Sequence, residues 1–371
     1  MIFVVNKIKV IVPGYRQGSL KSQNFKGNNL SMAESSKEEL SPRPLMRILG
    51  DFANSQILDA SIEYDFFTLI DRGFQTSEEI AREAGTDPRA TRIVLDSLPA
   101  LSLLEKRAVR YFLTPMSATF LVKGKLSYVG DFRHVALALW DGMANLKQSL
   151  KTGKPLSRMD TGAELQVWEK LVLGIIVIAE PAAKALCDIL KIGTERKGIR
   201  VLDIAGGSSI FGMTILARDP SAQVTQLDWP NVNAVARKAN KERGLEGKIR
   251  FIDGEHHTAN IESNHYDLVL ASNFCRFESP NGNQALFAKA YSALKPGGQF
   301  VVNDFVPNEE RTEPTFALRF SVYTLTHTPE GECWTLSQYS EWLRNARFSS
   351  ILTHGDIPRT LPGTTLIIAT K

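Results

Sequence analysis

The run Val201-Leu202-Asp203-Ile204-Ala205-Gly206-Gly207-Ser208-Ser209 decides how the rest of the chain is read. Its first half is apolar with one acid, as a buried strand near its carboxyl end would be. Its second half passes through two glycines into a helix-spaced stretch that opens near Ile210. Glycines at such a junction let a ligand approach the backbone, because no Cβ stands in the way. A tight strand-to-helix turn without a ligand would look the same, so the turn needs support from elsewhere. Outward from it, strand-like runs fall at 199–205, 223–228, 249–252, 266–272, 299–305, 349–353 and 365–370. Helix-like runs at 210–217, 231–243, 283–294 and 336–346 fill most of the gaps, the last opening on a Thr335…Gln338 capping box. Alternation of this kind predicts a parallel sheet covered on both faces. The last two strand runs have no helix between them and are expected to pair as an antiparallel hairpin. Seven strands with a terminal hairpin is not the simple dinucleotide-binding arrangement.

Acids gather at the carboxyl ends of the first three strand runs. Asp228 ends the second, 25 residues after Asp203, where a carboxylate can accept two hydrogen bonds from ribose hydroxyls. Gly254-Glu255 follows the third. Parallel sheets bind ligands in the crevice beyond those ends, so the three acids share one cleft. A pyrophosphate would be repelled by Asp203, whereas a cofactor with a cationic end would be favoured. The sulfonium and ammonium of S-adenosylmethionine fit this better than NAD.

Residues 198–371 resemble a class I S-adenosylmethionine-dependent methyltransferase, on Asp203–Ser209, Leu227-Asp228-Trp229-Pro230, Gly254-Glu255, Ser272-Asn273 and Leu294-Lys295-Pro296-Gly297-Gly298. With the N-terminal zone, the chain from about Pro42 is similar to the small-molecule O-methyltransferases of plants and bacteria. The resemblance implies an α/β fold: a Rossmann-like seven-stranded sheet, six strands parallel and the last antiparallel, plus a mainly α winged-helix domain that dimerises. It implies S-adenosyl-L-methionine held by Asp203, Gly206 and Gly207 at the methionine moiety, Asp228 at the ribose and Glu255 by the adenine, with Ser272 also on the cofactor. Ala205 and Ser209 stand where the family has its first and third glycines, and Glu255 stands where Asp is usual.

The resemblance places a general-base His shortly after the fourth strand. Here that stretch is Asn273-Phe274-Cys275-Arg276-Phe277-Glu278, with Arg276 at the His position. An imidazole can take the proton of an attacking hydroxyl; a guanidinium, with a pKa above ~12, cannot. Three readings stay open: Arg276 stabilises an acceptor that is already anionic, the acceptor is a carbon or nitrogen that needs no strong base, or the cofactor is bound without methyl transfer. Asp304 lies where the family places the acid that orients the base, and an ion pair with Arg276 is the simpler expectation. Glu332 and Cys333 fall near the family's second acid. His256, His257 and His327 are substitute bases, with His327 in a segment, 307–334, expected to roof the acceptor pocket; an exposed loop histidine is the plainer reading. Trp140, Phe274, Phe277, Phe316, Phe320, Tyr323 and Trp334 are candidate pocket walls for a flat, apolar acceptor, though each alone is more often core. Six scattered histidines give no metal spacing, so no metal site is expected.

The rest of the chain divides into a disordered tail (1–41), a winged-helix dimerisation domain (42–122), a helical connector that lines the acceptor pocket (123–197) and the catalytic domain (198–371). Thr76-Ser77-Glu78-Glu79 caps one helix, Gly85 ends it, Asp87 caps the next, and two short strand-like runs follow as a wing. That second helix carries Arg89 and Arg92, but also Asp87, Asp96 and apolar residues nearly all round. This predicts packing or dimerisation; a winged-helix DNA-binding regulator is the alternative from another class. The 371 residues carry a net charge of +4, yet residues 1–31 hold five cations and no acid, which leaves −1 for the other 340. The folded body therefore lacks the basic surface of a nucleic-acid or membrane binder. Three spaced cysteines without a CxxC fit a reducing compartment, and no apolar run is long enough to span a bilayer, so a cytoplasmic homodimer acting on a small-molecule acceptor is expected.

Overall fold

The computed structural model describes residues 40–125, 127–156, 158 and 165–371; most of the expected tail lies outside them. The chain divides into two compact units, Met1–Asp51 and Phe52–Lys371. In the first, α1 (Arg43–Gly50) buries none of its residues.

The second unit opens with α2 (Phe52–Glu63), α3 (Phe66–Asp71), α4 (Ser77–Ala84) and α5 (Pro88–Ser97), followed by a hairpin of β1 (Leu104–Arg107) and β2 (Arg110–Leu113). The punctuation expected from the sequence is present. The Thr76 hydroxyl accepts from the Glu79 N–H while Glu79 accepts from the Thr76 N–H, Gly85 ends α4 at φ +68°, and Asp87 caps α5 through the Ala90 N–H. Ile62, Phe66, Phe67, Ile80, Leu95, Leu98, Leu104 and Tyr111 form the core of this region. Ile48 and Phe52 are exposed. On α5, Leu95 is buried and Ile93 faces out. Arg92 on α5 pairs with Asp96, which also receives Lys106 and the Tyr111 hydroxyl, so that face carries no bare row of cations.

Then come α6 (Pro115–Phe120), α7 (Arg133–Ala144), α8 (Leu146–Thr152) and the long α9 (Leu165–Ile189). The sheet that follows consists of β3 (Arg200–Ile204), β4 (Gln223–Asp228), β5 (Ile249–Asp253), β6 (Tyr266–Ser272), β7 (Leu294–Phe305), β8 (Ser350–His354) and β9 (Thr364–Thr370). Its order is β5-β4-β3-β6-β7-β9-β8, with β9 antiparallel to both neighbours and the rest running one way, as the alternation predicted. The helices between strands are α10 (Ile210–Arg218), α11 (Pro230–Glu242), α12 (Pro280–Ala293), α13 (Thr315–His327) and α14 (Leu336–Asn345). Successive strand residues point to opposite faces and both faces are buried. Val201, Leu268, Leu270, Val301, Leu366 and Ile368 pack with α9 and α10, whereas Leu202, Val269, Phe300, Val302 and Ile367 pack with α12 and α14. Asp203, two residues on from Val201, therefore takes the α9–α10 face.

Among the described residues no helix is long and apolar enough to cross a membrane. Cys187, Cys275 and Cys333 are free and buried.

Candidate cofactor cleft and catalytic position

A cleft of about 790 Å³ opens at the carboxyl ends of β3, β4 and β6. Ala205, Gly206, Gly207 and Ser208 form its floor, Asp228, Trp229 and Gly254 one side, and Ser272, Asn273 and Phe274 the other; Trp168, Val172 and Ile175 of α9 close it. The glycines are required by space as well as by backbone. A Cβ on Gly206 would lie 2.6 Å from the Gln226 Oε1 and 2.9 Å from the Asp203 Cγ, and Gly207 has φ +58°. Asp203 is 1 % exposed and neither carboxylate oxygen has a hydrogen-bond partner. Burial, reinforced by the neighbouring Asp228, pushes its pKa up to about 8. Asp228 accepts from the Gly207 N–H and the Trp229 N–H, both at 2.8 Å; burial raises it to about 6, with those two bonds working against the rise. Asp228 lines the cleft, while Asp203 lies behind Gly206, off the lining and without any donor, so this end of the cleft is short of positive charge.

At the expected catalytic position, Arg276 is 2 % exposed and held through its Nη1 and backbone N–H, its Nε having no hydrogen-bond partner. Its Nη1 donates to Asp304 Oδ1 at 2.5 Å and to Asn273 Oδ1 at 3.2 Å, and its backbone N–H donates to Asp304 Oδ2 at 3.0 Å. The guanidinium lies 4.4 Å from the Phe320 ring centroid, 4.6 Å from Phe305 and 4.9 Å from Phe277. Asp304 is fully buried and also accepts from the Tyr339 hydroxyl and the Phe305 N–H. The pair is thus an interior cation in an aromatic cage. Neither side chain lines the cleft or the cavity beside it.

Two family models match the chain: the O-methyltransferase dimerisation domain over residues 46–123 and the O-methyltransferase domain over residues 188–349. The chain belongs to the O-methyltransferase family. It is 26 % identical, over 309 residues, to the 3-hydroxy-5-methyl-1-naphthoate 3-O-methyltransferase of Streptomyces sahachiroi, covering 81 % of this chain and 87 % of that one. It is 25 % identical to the L-tyrosine C(3)-methyltransferase of Streptomyces lavendulae, covering 95 % and 99 %. A solved structure of a putative O-methyltransferase from Nostoc punctiforme superposes with a TM-score of 0.82 at 27 % identity, over 90 % of this chain and all of that one. This O-methyltransferase family member is an S-adenosylmethionine-dependent methyltransferase. The cleft fits that cofactor: a partnerless buried carboxylate suits its cationic end, and the bare backbone of Gly206 and Gly207 in the floor suits close approach of a ligand.

The remaining expected site residues fall in several places. Ser272 lines the cleft. Glu255 does not; Gly254 and His256 face the cleft, while Glu255 turns to the His257 and Thr258 N–H groups of its own loop and lines the adjoining cavity. Phe277 lines that cavity too, edge-on to Trp168 at 5.5 Å. Phe320 packs against Arg276 instead of either cavity. Trp140 sits on α7, 40 % exposed and off both walls. Glu332 pairs with Arg311 at 2.5 Å. His327 is neither in a loop nor exposed: it ends α13, 2 % exposed, with Nε2 3.2 Å from the Ala138 carbonyl and Nδ1 2.8 Å from the Thr326 hydroxyl. An imidazole so enclosed is part of the packing between α13 and α7.

Sequence reasoning missed Gln226. Its amide donates to the Gly207 carbonyl and to Asn233, and its oxygen accepts from Ser209, which holds the glycine turn in shape. The available signal was a polar residue inside an otherwise apolar strand run. The two departures from the family glycines coincide with left-handed backbone, Ala205 at φ +54° and Ser209 at φ +66°. Ser209 recovers part of that strain through Gln226; Ala205 has no polar group with which to do so. Ala205→Gly is expected to raise stability by up to about 1 kcal/mol, read by urea denaturation, the relief of left-handed strain exceeding the added freedom of the unfolded chain.

Proposed function

We propose that the protein transfers a methyl group to a small, aromatic or apolar acceptor at an atom that needs no base from position 276: an oxygen that arrives ionised, or a carbon or nitrogen nucleophile. The observation that carries this reading is the state of Arg276, a cation that cannot take a proton and is enclosed by Asp304, Asn273 and three aromatic rings. Bound S-adenosylmethionine supplies an electrophilic methyl group. Asp203 faces its cationic end, Asp228 the ribose hydroxyls, and the Gly206-Gly207 turn with Ser272 fixes the methionine part. Trp168, Trp229 and Phe274 exclude water from the wall shared with the adjoining cavity, and Phe277 lines that cavity. The Arg276–Asp304 pair positions Phe277 and Phe320 and does not touch the acceptor.

The test is a panel of phenols of graded acidity with labelled cofactor. Turnover should follow the ionised fraction of the phenol, about tenfold per pKa unit above the assay pH. Arg276→His, if it folds, should leave that dependence in place, because position 276 faces neither the cleft nor the cavity beside it. A wild-type rate indifferent to phenol acidity would remove the ionised-oxygen form of the reading, and absence of cofactor binding at tens of micromolar would remove the whole.

The protein is further proposed to be a homodimer through its N-terminal region. The dimerisation-domain match supports this, as does the stripe Leu45, Ile48 and Leu49 on α1, at helical spacing and 66 %, 71 % and 77 % exposed. Leu45→Glu/Leu49→Glu is expected to halve the mass measured by light scattering. A variant that stays dimeric would place the interface elsewhere.

A further inference from the structure

The cavity beside the cofactor cleft is open to solvent and is lined by Glu255, His256, His257 and Glu278 among others. These four side chains come from two segments, the loop after β5 and the turn before α12. Glu255 Oε1 lies 3.2 Å from His256 Nδ1, Glu278 Oε1 lies 3.1 Å from His256 Nε2, and Glu278 Oε2 lies 2.8 Å from His257 Nε2. One donor atom each from Glu255, His256 and His257 falls within 4.8 Å of the other two. Ligands at ~2.0–2.1 Å from a tetrahedral ion stand about 3.3 Å apart, so these three donors must close by at most about 1.5 Å to share an ion, while Glu278 holds the imidazoles from their other nitrogens.

The loop is also held ready. The Glu255 carboxylate is fixed by the His257 and Thr258 N–H groups at 3.0 and 2.9 Å. Lys289, reaching over from α12, donates to the carbonyls of His256, His257 and Ala259 at 2.6, 3.0 and 2.6 Å. The His256 ring packs edge-on against Phe274 with centroids 4.6 Å apart. Positions held this way cost little further ordering on binding an ion.

We infer that Glu255, His256 and His257 form a binding site for a divalent transition metal on the wall between the cofactor cleft and its neighbouring cavity, with Glu278 orienting the two imidazoles through their Nε2 atoms. Two imidazoles and one carboxylate suit zinc, nickel or iron(II), whereas magnesium and calcium prefer all-oxygen sites. Because His256 lies on both walls, an ion there would fix the partition between the two spaces. The inference does not depend on the methyl-transfer reading.

Tag-free, chelator-stripped protein titrated with zinc by calorimetry should bind one ion with a dissociation constant of about 10 µM or tighter. His257→Ala and Glu278→Gln should each weaken this at least about tenfold, and His256→Ala/His257→Ala about 100-fold or more, with circular dichroism confirming that each variant folds. His354→Ala, on β8, should leave it unchanged. Cobalt(II) should give visible bands without sulfur-to-metal charge transfer. Failure to saturate at one ion, or binding that survives loss of both histidines, would overturn the assignment.

Discussion

Asp203→Asn should gain stability over the wild type as pH rises while weakening S-adenosylmethionine binding about 100-fold or more. Both effects come from one carboxylate that is 1 % exposed and has no hydrogen-bond donor. In the unfolded chain Asp203 ionises near ~3.9; in the folded protein burial and Asp228 hold it at about 8. Below ~4 the group is neutral in both states and carries no penalty. Between ~4 and about 8 the unfolded chain gives up the proton that the folded chain keeps, so stability falls with rising pH, by at most ~1.4 kcal/mol per unit; above about 8 the loss levels off. Asparagine does not titrate. Its unpaired amide has a cost, but one independent of pH, so the difference in Tm between variant and wild type should shift toward the variant from pH 5 to 8.5. A cationic ligand supplies the missing counter-charge, which is why the same substitution removes affinity. Wild-type affinity should accordingly climb as pH approaches 8, with proton release visible as a buffer-dependent heat. A flat pH dependence for both quantities would show that Asp203 is not the cofactor's counter-charge.

Asp304→Ala should cost about 3–5 kcal/mol of unfolding free energy. It strips acceptors from the Arg276 Nη1, the Arg276 and Phe305 N–H groups and the Tyr339 hydroxyl, and leaves a guanidinium 2 % exposed with only Asn273 and ring faces around it. Removing the charge as well, in Arg276→Met/Asp304→Ala, should be less harmful than Asp304→Ala alone, because a buried unpaired ion is worse than none. Urea denaturation of the single and double variants reads the difference. If Asp304→Ala costs under about 1 kcal/mol, the pair is not the buried ion pair described here.

How much of this was legible in the sequence depends on which residues face inward. The sheet was legible because strands buried on both faces read as continuous apolar runs, and every expected strand is within a few residues of its place. The largest shift is β7, which starts at Leu294 because that residue pairs with Tyr266 ahead of the Gly297-Gly298 turn. The helix α13 was not legible. Its buried positions are Ala317, Phe320, Thr324 and His327, at helical spacing, but a threonine and a histidine in that stripe hide the apolar period, and Pro314 offers no side-chain cap. The same omission misplaced His327 as a loop residue. The Arg276–Asp304 pair was anticipated as an ion pair, but not its enclosure: Phe305 and Phe320 reach the guanidinium from β7 and α13. His256 and His257 looked like scattered histidines because their partner Glu278 is contributed by a different segment, across the sheet edge.

The sequence by itself determined the class of fold and the cofactor. Hydrophobic period, glycine placement and acids at strand ends are local properties, and they follow from which side chains can be buried and which backbone can turn. The tertiary structure alone decided what the charged groups do. Whether Asp203 is partnered, whether Arg276 faces a ligand or the interior, and whether two histidines meet a carboxylate depend on segments tens of residues apart. Desolvation and pairing act over a few ångströms of space, and distance along the chain does not record them.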